Sequence, residues 1–563
     1  MRGPEDAEDL CGDGFVAAEV GEEPVDRLRV LPYDATQVGR LAGVMDETVG
    51  VGARVRLAEL TAALSLATDV GTGQPMEHAL RTCLLALRAC DALGMPASAA
   101  STVLYTSLLR FLGCTSNASE TAELAGGDEI AFNAAMAPMV MADDRDALPY
   151  MLKHLGEDLS FPRRLGRVRA ALSDPSGKAR SLSEHCEVGA RLAARIGLDV
   201  AVCDAVAHAY ERWDGKGLPS GLGGDVVPLA TRVAIVARDV DLVFARSGVD
   251  EVRRVLTRRR GRAYDPTVVD VFVTEGVAWL GELEEIDPWD AVLDAEPYPV
   301  IEVDETRLDD VMAAFADFAD LKSRWFGGHS RAVSDLAATA AMACGLDAAE
   351  VTLARRAGLV HDLGVVGVPG GVWNRPATLT REGWERVRTH PQTGERILAR
   401  CGALGEIASV AGAHHERLDG SGYHRGARDS AVVAQVVAAA DVYRALREDR
   451  AHRIAFAPDQ AARVLAEEAD AGRLGRAATD GVLAAAGHPP TVANVTRPAG
   501  LTEREVDVLR LLARGRSNKE AAKELGISAK TVGTHIEHIY AKAAVTTRAG
   551  ATLFAMENDL IRT

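Results

Sequence analysis

The sequence has no run of 18 or more apolar residues, and its first residues, MRGPEDAEDLCGDG, are acidic. A transmembrane helix needs about 20 mostly apolar residues, and a secretory leader needs a basic start followed by an apolar stretch. We therefore expect a cytoplasmic protein with no membrane partner. The eight cysteines form no Cys-x-x-Cys pair, which argues against a disulfide framework and predicts reduced core residues.

Alternating apolar and polar residues, the pattern of a β-strand, are also scarce. Ala, Leu and Val recur instead at three- and four-residue spacing, as in RAVSDLAATAAMACGL, which predicts helices. A chain of 563 residues is too long for one core and fits about three or four domains. We predict an all-α protein with an acidic N-terminal segment (1–50), two helical domains (51–280 and 301–486) and a C-terminal domain (497–563). Pro-bearing segments near 281–300 and 487–500 are the predicted linkers.

The two helical domains are related by an internal repeat. MEHALRTCLLALRACDALGM (76–95) parallels GGHSRAVSDLAATAAMACGL (327–346), and YERWDGKGLP (210–219) parallels HERLDGSGYH (415–424). His78 precedes Arg110 by the same interval that separates His329 from His361. We predict two copies of one helical domain, the first of which carries an insertion at 115–180.

The second copy is rich in imidazole and carboxylate side chains. They are His329, His361, Asp362, His390, His414, His415 and Asp441. Such nitrogen and oxygen ligands suit Mn, Fe, Zn or a related divalent ion. Seven ligands are too many for one ion that keeps a position for water, so two ions bridged by Asp362 are the economical arrangement. Two ions in one site support the hydrolysis of a phosphoester.

The alternative is that these histidines are structural. Any one of them, taken alone, is more often a hydrogen-bonded helix residue than a metal ligand. Adjacent ionisable residues in apolar helical surroundings are costly, however, unless a metal or a partner compensates them. The pairs His361-Asp362 and His414-His415 therefore favour the metal site.

The motifs HDLG, THPQTGERIL, HHERLDGSGY and a late ADV follow one another within residues 320–460. With this combination the second copy resembles an HD-GYP domain of the HD phosphohydrolase superfamily. The resemblance implies that one ion is held by His329, His361, Asp362 and Asp441, and the other by Asp362, His390, His414 and His415. It also implies two divalent ions (Fe, Mn or similar), His361 and Asp362 as catalytic residues, Gly422 and Tyr423 as a substrate loop, and cyclic di-GMP or another phosphoester as the substrate.

Three positions depart from the family pattern. Val365 stands where members usually carry a lysine, and loss of that charged contact should cost about 1.5–3 kcal/mol unless an arginine replaces it. His424 replaces the proline of Gly-Tyr-Pro, and Trp325 stands where members with a third ion place an acidic ligand, so we expect two ions. The domain is then either a slow phosphodiesterase or a metal or nucleotide sensor.

The first copy has lost most of these ligands. Arg110-Phe111 stand at the positions of His361-Asp362, and Ala209-Tyr210 replace the two adjacent histidines. We predict that this copy binds no metal. It is either a packing domain or a sensor or dimerisation module.

The C-terminal segment differs from the rest in charge. Residues 497–563 carry 11 lysines and arginines against eight acidic residues, whereas the whole chain has a net charge of -18. NKEAAKELGISAKTVGTHI predicts two short helices joined by a Gly-containing turn, which is the layout of a helix-turn-helix. About 60 residues here resemble the LuxR-type DNA-binding domain.

This resemblance implies binding of double-stranded DNA by a transcriptional regulator, as a homodimer formed through the final helix. The residues predicted to contact DNA are Arg516, Lys519, Lys523, Ser528, Lys530, Thr531, Thr534 and His535. A merely solvated basic face is the alternative.

Overall fold

A computed structural model describes residues 54–139, 175–487, 498–558 and 560–561, with a few isolated residues between 140 and 174. The predicted N-terminal segment (1–50) and much of the predicted insertion at 115–180 lie outside the described residues. Within the described part, helices dominate and the strands amount to one two-stranded ribbon, so the all-α prediction is confirmed.

The described part of the chain contains the following helices. They are α1 (Leu57–Gly71), α2 (His78–Ala92), α3 (Ala97–Leu109), α4 (Ala118–Ala125), α5 (Glu129–Met136), α6 (Pro175–Ile196), α7 (Val200–Ala207), α8 (Leu229–Arg259), α9 (Pro266–Thr274), α10 (Gly276–Leu283), α11 (Pro288–Asp294), α12 (Glu305–Asp320), α13 (His329–Ala343), α14 (Ala348–Val360), α15 (Gly370–Trp373), α16 (Arg381–Val387), α17 (His390–Leu398), α18 (Gly405–Ala411), α19 (Val432–Leu446), α20 (Pro458–Asp470), α21 (Arg476–Ala486), α22 (Glu503–Ala513), α23 (Asn518–Leu525), α24 (Ala529–Ala543) and α25 (Arg548–Glu557). The strands are β1 (Val55–Arg56) and β2 (Glu302–Val303).

The repeat seen in the sequence is also present in the structure. Helices α2 and α13 have 15 residues each, α3 and α14 have 13 each, and both pairs lead into a 3-10 turn. Gly113 in the first turn and Gly364 in the second lie so close to the carbonyl oxygens of His185 and His390 that a Cβ atom would come within 1.9 Å. Only glycine allows this contact, which brings the turn against His185 in the first copy and against His390 in the second.

The two copies are interlocked. β1, at the start of the first copy, pairs antiparallel with β2, at the start of the second, with Val55 opposite Val303. Helix α1 packs against the 3-10 turn Leu363–Gly367 and against α17 of the second copy. The helical core of the second copy is thus completed by residues that the repeat assigns to the first.

The segment 281–300, predicted as a linker, contains α11. Asp287 caps this helix by accepting hydrogen bonds from Trp289 N and Asp290 N, and Pro288 occupies its first turn. Trp289 and Val292 are buried in the core. The acidic composition of the segment concealed a capped helix that packs against α2.

The C-terminal helices α22–α25 form a compact unit that packs on the body of the protein. α25 lies between α22 of its own unit and α6 of the first copy. Ile561 lies near Gly327 and Gly328, within about 4 Å of the positions their Cβ atoms would take. The unit therefore contacts both copies of the helical domain.

Candidate metal centre and nucleic-acid interface

The seven predicted ligands converge on one buried centre in the second copy. His329 begins α13, His361 and Asp362 follow α14, His390 begins α17, His414 and His415 follow α18, and Asp441 lies in α19. A capping box between Asp347 and Glu350 fixes the start of α14, and Gly328, at a φ of 82°, turns the chain into α13. Local capping and close helix packing thus set the positions of these side chains.

Asp362 lies between two groups of imidazoles. Its Oδ2 atom is 3.7 Å from His329 Nε2 and 3.5 Å from His361 Nε2. Its Oδ1 atom is 3.4 Å from His390 Nε2 and 3.6 Å from His414 Nε2. Two groups of side chains have potential ligand atoms that all lie within 4.8 Å of one another. One group is His329, His361 and Asp362, and the other is His390, His414 and His415. A carboxylate in this position can bridge two ions.

The hydrogen bonds of the histidines leave their Nε2 atoms available to a metal. His361, His390 and His414 each donate Nδ1–H to the carbonyl oxygen three residues earlier, at 2.9, 2.7 and 2.6 Å. Such bonds fix the ring orientation and the tautomer of a metal-binding histidine. The Nε2 atom of His361 is buried and has no hydrogen-bond partner. These donors fit a divalent metal.

The charge states of the centre also suit a metal. Burial, together with the neighbouring imidazoles, holds the pKa of His414 and His415 well below the ordinary value, so both rings are neutral. Burial alone would raise the pKa of the Asp362 carboxyl, but His361 and His390 hold that pKa well below its usual range. Asp362 is thus an ionised carboxylate, and His414 and His415 are neutral imidazoles, which are the forms that bind metals. Burial opposes the charged form of His329, but Glu448 and Asp441 outweigh it and raise the pKa of this ring to about 10.

A cleft of about 500 Å³ opens onto this centre. Its walls include Phe326, Trp373, Trp384 and Tyr423, and its floor includes Asp362 and Asp441. Small-molecule sites are commonly about 300–1,000 Å³ with mainly apolar walls and a few convergent polar groups. The cleft has the size and the lining of such a site.

The predicted substrate loop borders the cleft at Tyr423. This ring is buried and stacks on His415 with a centroid distance of 4.6 Å. A Cβ atom at Gly422 would lie 2.4 Å from Arg417 N and from His415 O, so glycine is needed for the loop to fold back here. His424 lies beside Glu395 at 3.2 Å, outside the two ligand groups.

Val365 is buried at the edge of the cleft, and Lys322, in the turn that follows α12, contacts the neighbouring residue Val366. Lys322 Nζ donates to Val366 O at 2.9 Å and pairs with Glu129 Oε1 at 2.6 Å. Glu129 also accepts from Gly370 N. Lys322 is therefore committed to a buried ion pair between the two copies and does not replace the missing lysine.

Arg450 is a cation close to the centre that the sequence did not single out. Its Nη2 atom is 3.1 Å from Glu448 Oε2 and 3.5 Å from His329 Nδ1, and its guanidinium lies over the Phe326 ring at 5.0 Å. Glu448 in turn lies 2.8 Å from His329 Nδ1 and orients that ring. In the sequence, Glu448 and Arg450 lie in REDRAHR, a charged stretch directly after the helix that carries Asp441.

In the first copy, the remaining ligand types are engaged with other side chains. His78 Nδ1 pairs with Asp241 at 2.7 Å, and His185 Nε2 pairs with Asn117 Oδ1 at 2.6 Å. Asp239, the counterpart of Asp441, is bound by two arginines and a tyrosine, Arg238, Arg259 and Tyr264. The guanidinium of Arg110 lies over the ring of Phe111. His78 Nε2 is buried without a hydrogen-bond partner, and the absence of a metal from this copy stays a prediction.

The C-terminal unit has the predicted helix-turn-helix layout. Thr502 with Glu505 and Ser517 with Glu520 form capping boxes at α22 and α23, and Ser528 caps α24 by accepting from Thr531 N. α23 and α24 are joined by Gly526 in a left-handed conformation.

The side chains predicted to read DNA differ in their exposure. Lys519, Lys523, Ser528, Lys530, Thr531 and Thr534 are exposed, whereas His535 and Arg516 are half-buried. Val532 and Ile539, on the other face of α24, are buried. Arg516 pairs with Glu524 at 3.0 Å and lies 3.9 Å from Asp449 of the second copy. The DNA contacts themselves stay a prediction.

Comparison with known families gives two matches along the chain. The HD domain model matches residues 141–268 and 313–477, which together are just over half of the chain. The chain belongs to the HD domain family. A model of the bacterial regulatory proteins of the luxR family matches residues 499–555. The chain thus joins an HD phosphohydrolase body to a LuxR-family regulatory domain, as both resemblances predicted.

Individual HD relatives match over different lengths. The chain is 28% identical over 417 residues to the 3'3'-cGAMP-specific phosphodiesterase 3 of Vibrio cholerae, covering 73% of this chain and 90% of the relative. A crystal structure of a cyclic GMP-AMP-specific phosphodiesterase of V. cholerae aligns with a TM-score of 0.55 and 25% identity, covering 78% of this chain and 99% of that one. A cyclic di-GMP phosphodiesterase of Pseudomonas aeruginosa is 37% identical over 142 residues, which is 25% of this chain and 34% of the relative.

No helix in the described part of this HD protein is both long and apolar enough to span a bilayer.

Proposed function

We propose that the second copy, residues 301–486, is a phosphodiesterase for cyclic dinucleotides that uses two divalent ions, Fe, Mn or a similar metal. The observation that carries this proposal is the position of Asp362, whose two carboxylate oxygens face separate groups of imidazoles. The cleft supports it, because aromatic walls suit nucleobases and the polar floor suits a phosphodiester. The named activities of the relatives agree with this substrate class.

When bound, the two ions would activate water as a nucleophile and neutralise charge on the phosphodiester. The residues of the chain hold and orient the reacting groups. Asp362 joins the two metal positions, Glu448 fixes the ring of His329, and Arg450 offers a guanidinium to the non-bridging phosphate oxygens. Arg450 is the arginine that compensates in part for Val365.

The proposal includes a regulatory role for the tail. Residues 497–563 bind double-stranded DNA, with α24 in the major groove, and act as a homodimer through α25. The exposed lysines and hydroxyl side chains around α23 and α24 support this role, since they offer phosphate and base contacts on one side of the unit. The proposed location is the cytoplasm, where cyclic dinucleotides and DNA are both accessible.

A matched pair of variants of the full chain tests the metal site. His329→Ala removes a proposed ligand, whereas His78→Ala changes the equivalent residue of the first copy. We expect wild type and His78→Ala to hold about two ions per chain and to hydrolyse cyclic di-GMP or 3'3'-cGAMP, and His329→Ala to lose metal and activity. Elemental analysis and chromatography of the products measure the two outcomes.

Two results would count against the proposal. Equal loss of metal in both variants would contradict the assignment of the site to the second copy. Full metal occupancy without hydrolysis of either nucleotide would instead favour the alternative function, a sensor. The valine at position 365, where family members usually carry a lysine, is the reason for this alternative.

A further inference from the structure

The tail packs on α6, and polar groups form hydrogen bonds at the edge of this interface. Thr546 donates its backbone N–H and its hydroxyl to Glu187, at 3.2 and 2.7 Å. Arg191 donates to the carbonyl oxygen of Ala544 at 2.6 Å, where α24 ends. Glu187 and Arg191 are one helical turn apart and lie 3.5 Å from each other, so they form one paired contact for the tail.

Behind this polar edge lies one face of α25. A Cβ atom at Gly550 would come within 2.3 Å of Glu187 Oε1, so this residue lies directly against α6. Gly550, Phe554 and Glu557 share a helical face because they are four and three residues apart. Burial raises the pKa of the Glu557 carboxyl, and the charge of Arg195 on α6 partly offsets this effect. This face of α25 is therefore turned toward the body of the same chain.

The opposite side of the tail remains accessible. Lys530, Thr531 and Thr534 on α24 are exposed, as are Lys519 and Lys523 on α23. The docked tail can thus present its DNA-reading side, but α25 is already covered. A second tail can pack on α25 only after α25 has left α6.

We propose that α6 is a docking surface that competes with a second copy of the tail for α25. This inference rests on the proposed DNA-binding function and adds a mechanism that regulates it. In the docked form the protein binds DNA as a single unit and weakly. In the released form two tails pair through α25 and bind as a dimer. Glu187 and Arg191 are the residues that hold the docked form.

A charge-swapped variant of the full chain tests this directly. Glu187→Arg with Arg191→Glu keeps the net charge and the ion pair within α6 but reverses both polar contacts with the tail. The matched control is the exchange Glu251→Arg with Arg254→Glu, a pair on α8 that lies 2.9 Å apart. The probe is a random-sequence duplex of about 30 base pairs, which reports backbone binding.

We expect faster amide hydrogen exchange in residues 548–557 of the swapped variant and a dimer on the duplex. Its affinity should rise about tenfold or more because two linked units bind together. The slope of log K against log salt should about double, since twice as many phosphates are contacted. The control double variant on α8 should match wild type in hydrogen exchange, in affinity and in salt dependence.

A disulfide staple provides a second test in one molecule. Oxidised Glu187→Cys/Thr546→Cys should bind the duplex as weakly as wild type or more weakly, and the affinity should rise when a reductant opens the bond. Equal binding and equal exchange in wild type and the swapped variant would overturn the inference while leaving the DNA-binding function intact. If none of the proteins binds the duplex, the proposed DNA function fails, and the inference fails with it.

Discussion

Replacement of Arg450 by alanine should slow the hydrolase without emptying the metal site. The guanidinium is 14% exposed, lines the cleft and approaches His329, whereas the proposed metal ligands do not include it. A hydrogen bond to a charged group contributes about 1.5–3 kcal/mol, and each 1.4 kcal/mol is a tenfold change in rate. Arg450→Ala should therefore lower kcat/KM for a cyclic dinucleotide by about 10- to 150-fold.

The same reasoning predicts a rescue. Val365→Lys introduces an ammonium at the edge of the same cleft, so it should raise kcat/KM of wild type and restore part of the loss in Arg450→Ala. Arg463→Ala, which changes an exposed arginine on α20, is the control. The assay is initial-rate hydrolysis at full metal occupancy, followed by chromatography. A loss below about threefold in Arg450→Ala, well under one charged hydrogen bond, would refute the assigned role of this arginine.

The remaining predictions concern the ion pair between the copies, the bridging carboxylate and the tail. Glu129→Gln leaves the Lys322 ammonium buried without its counter-charge and should cost about 3–5 kcal/mol in urea unfolding. Burial lowers the folded-state pKa of Lys322, so the folded protein loses this proton first as pH rises, and the loss of stability should shrink at alkaline pH. Asp362→Ala should abolish hydrolysis and release metal, as measured by elemental analysis. Lys530→Ala should weaken binding to all duplexes and flatten the salt dependence, whereas Thr534→Ala should change base preference in a selection experiment.

Each of these has a defined contrary result. A Glu129→Gln variant as stable as wild type at neutral pH would show that the buried ammonium needs no partner. Retained turnover in Asp362→Ala would exclude the bridge. If a chain that ends at residue 490 binds DNA as well as the full chain, the DNA-binding site does not lie in the tail.

The convergence of the candidate ligands could be predicted because its signals are local. His361-Asp362 and His414-His415 are adjacent ionisable pairs in apolar helices, and such pairs stand out in a sequence. Their mutual geometry follows from the packing of α14, α17 and α18, which the repeat and the family resemblance already implied. Asp362 accordingly lies between the two imidazole groups.

What the sequence did not reveal depends on contacts between distant residues. Lys322 meets Glu129, and Glu187 meets Thr546, across the two copies and the tail. No periodicity or motif links such positions, because each residue alone is typical of a solvated polar surface. Arg450 was missed for a related reason, since its role depends on how the loop after α19 folds toward His329.

The short ribbon of β1 and β2 has a consequence for the way the chain is made. Arg54 and Glu302 at the ribbon are 248 residues apart in sequence. At about 5–20 residues per second, a ribosome needs tens of seconds to deliver the second strand after the first has emerged. During that interval β1 is an unpaired edge, and α1 lacks the 3-10 turn and α17 that later cover it. Until the second copy has emerged, the nascent first copy therefore exposes surface of α1 that the folded protein covers.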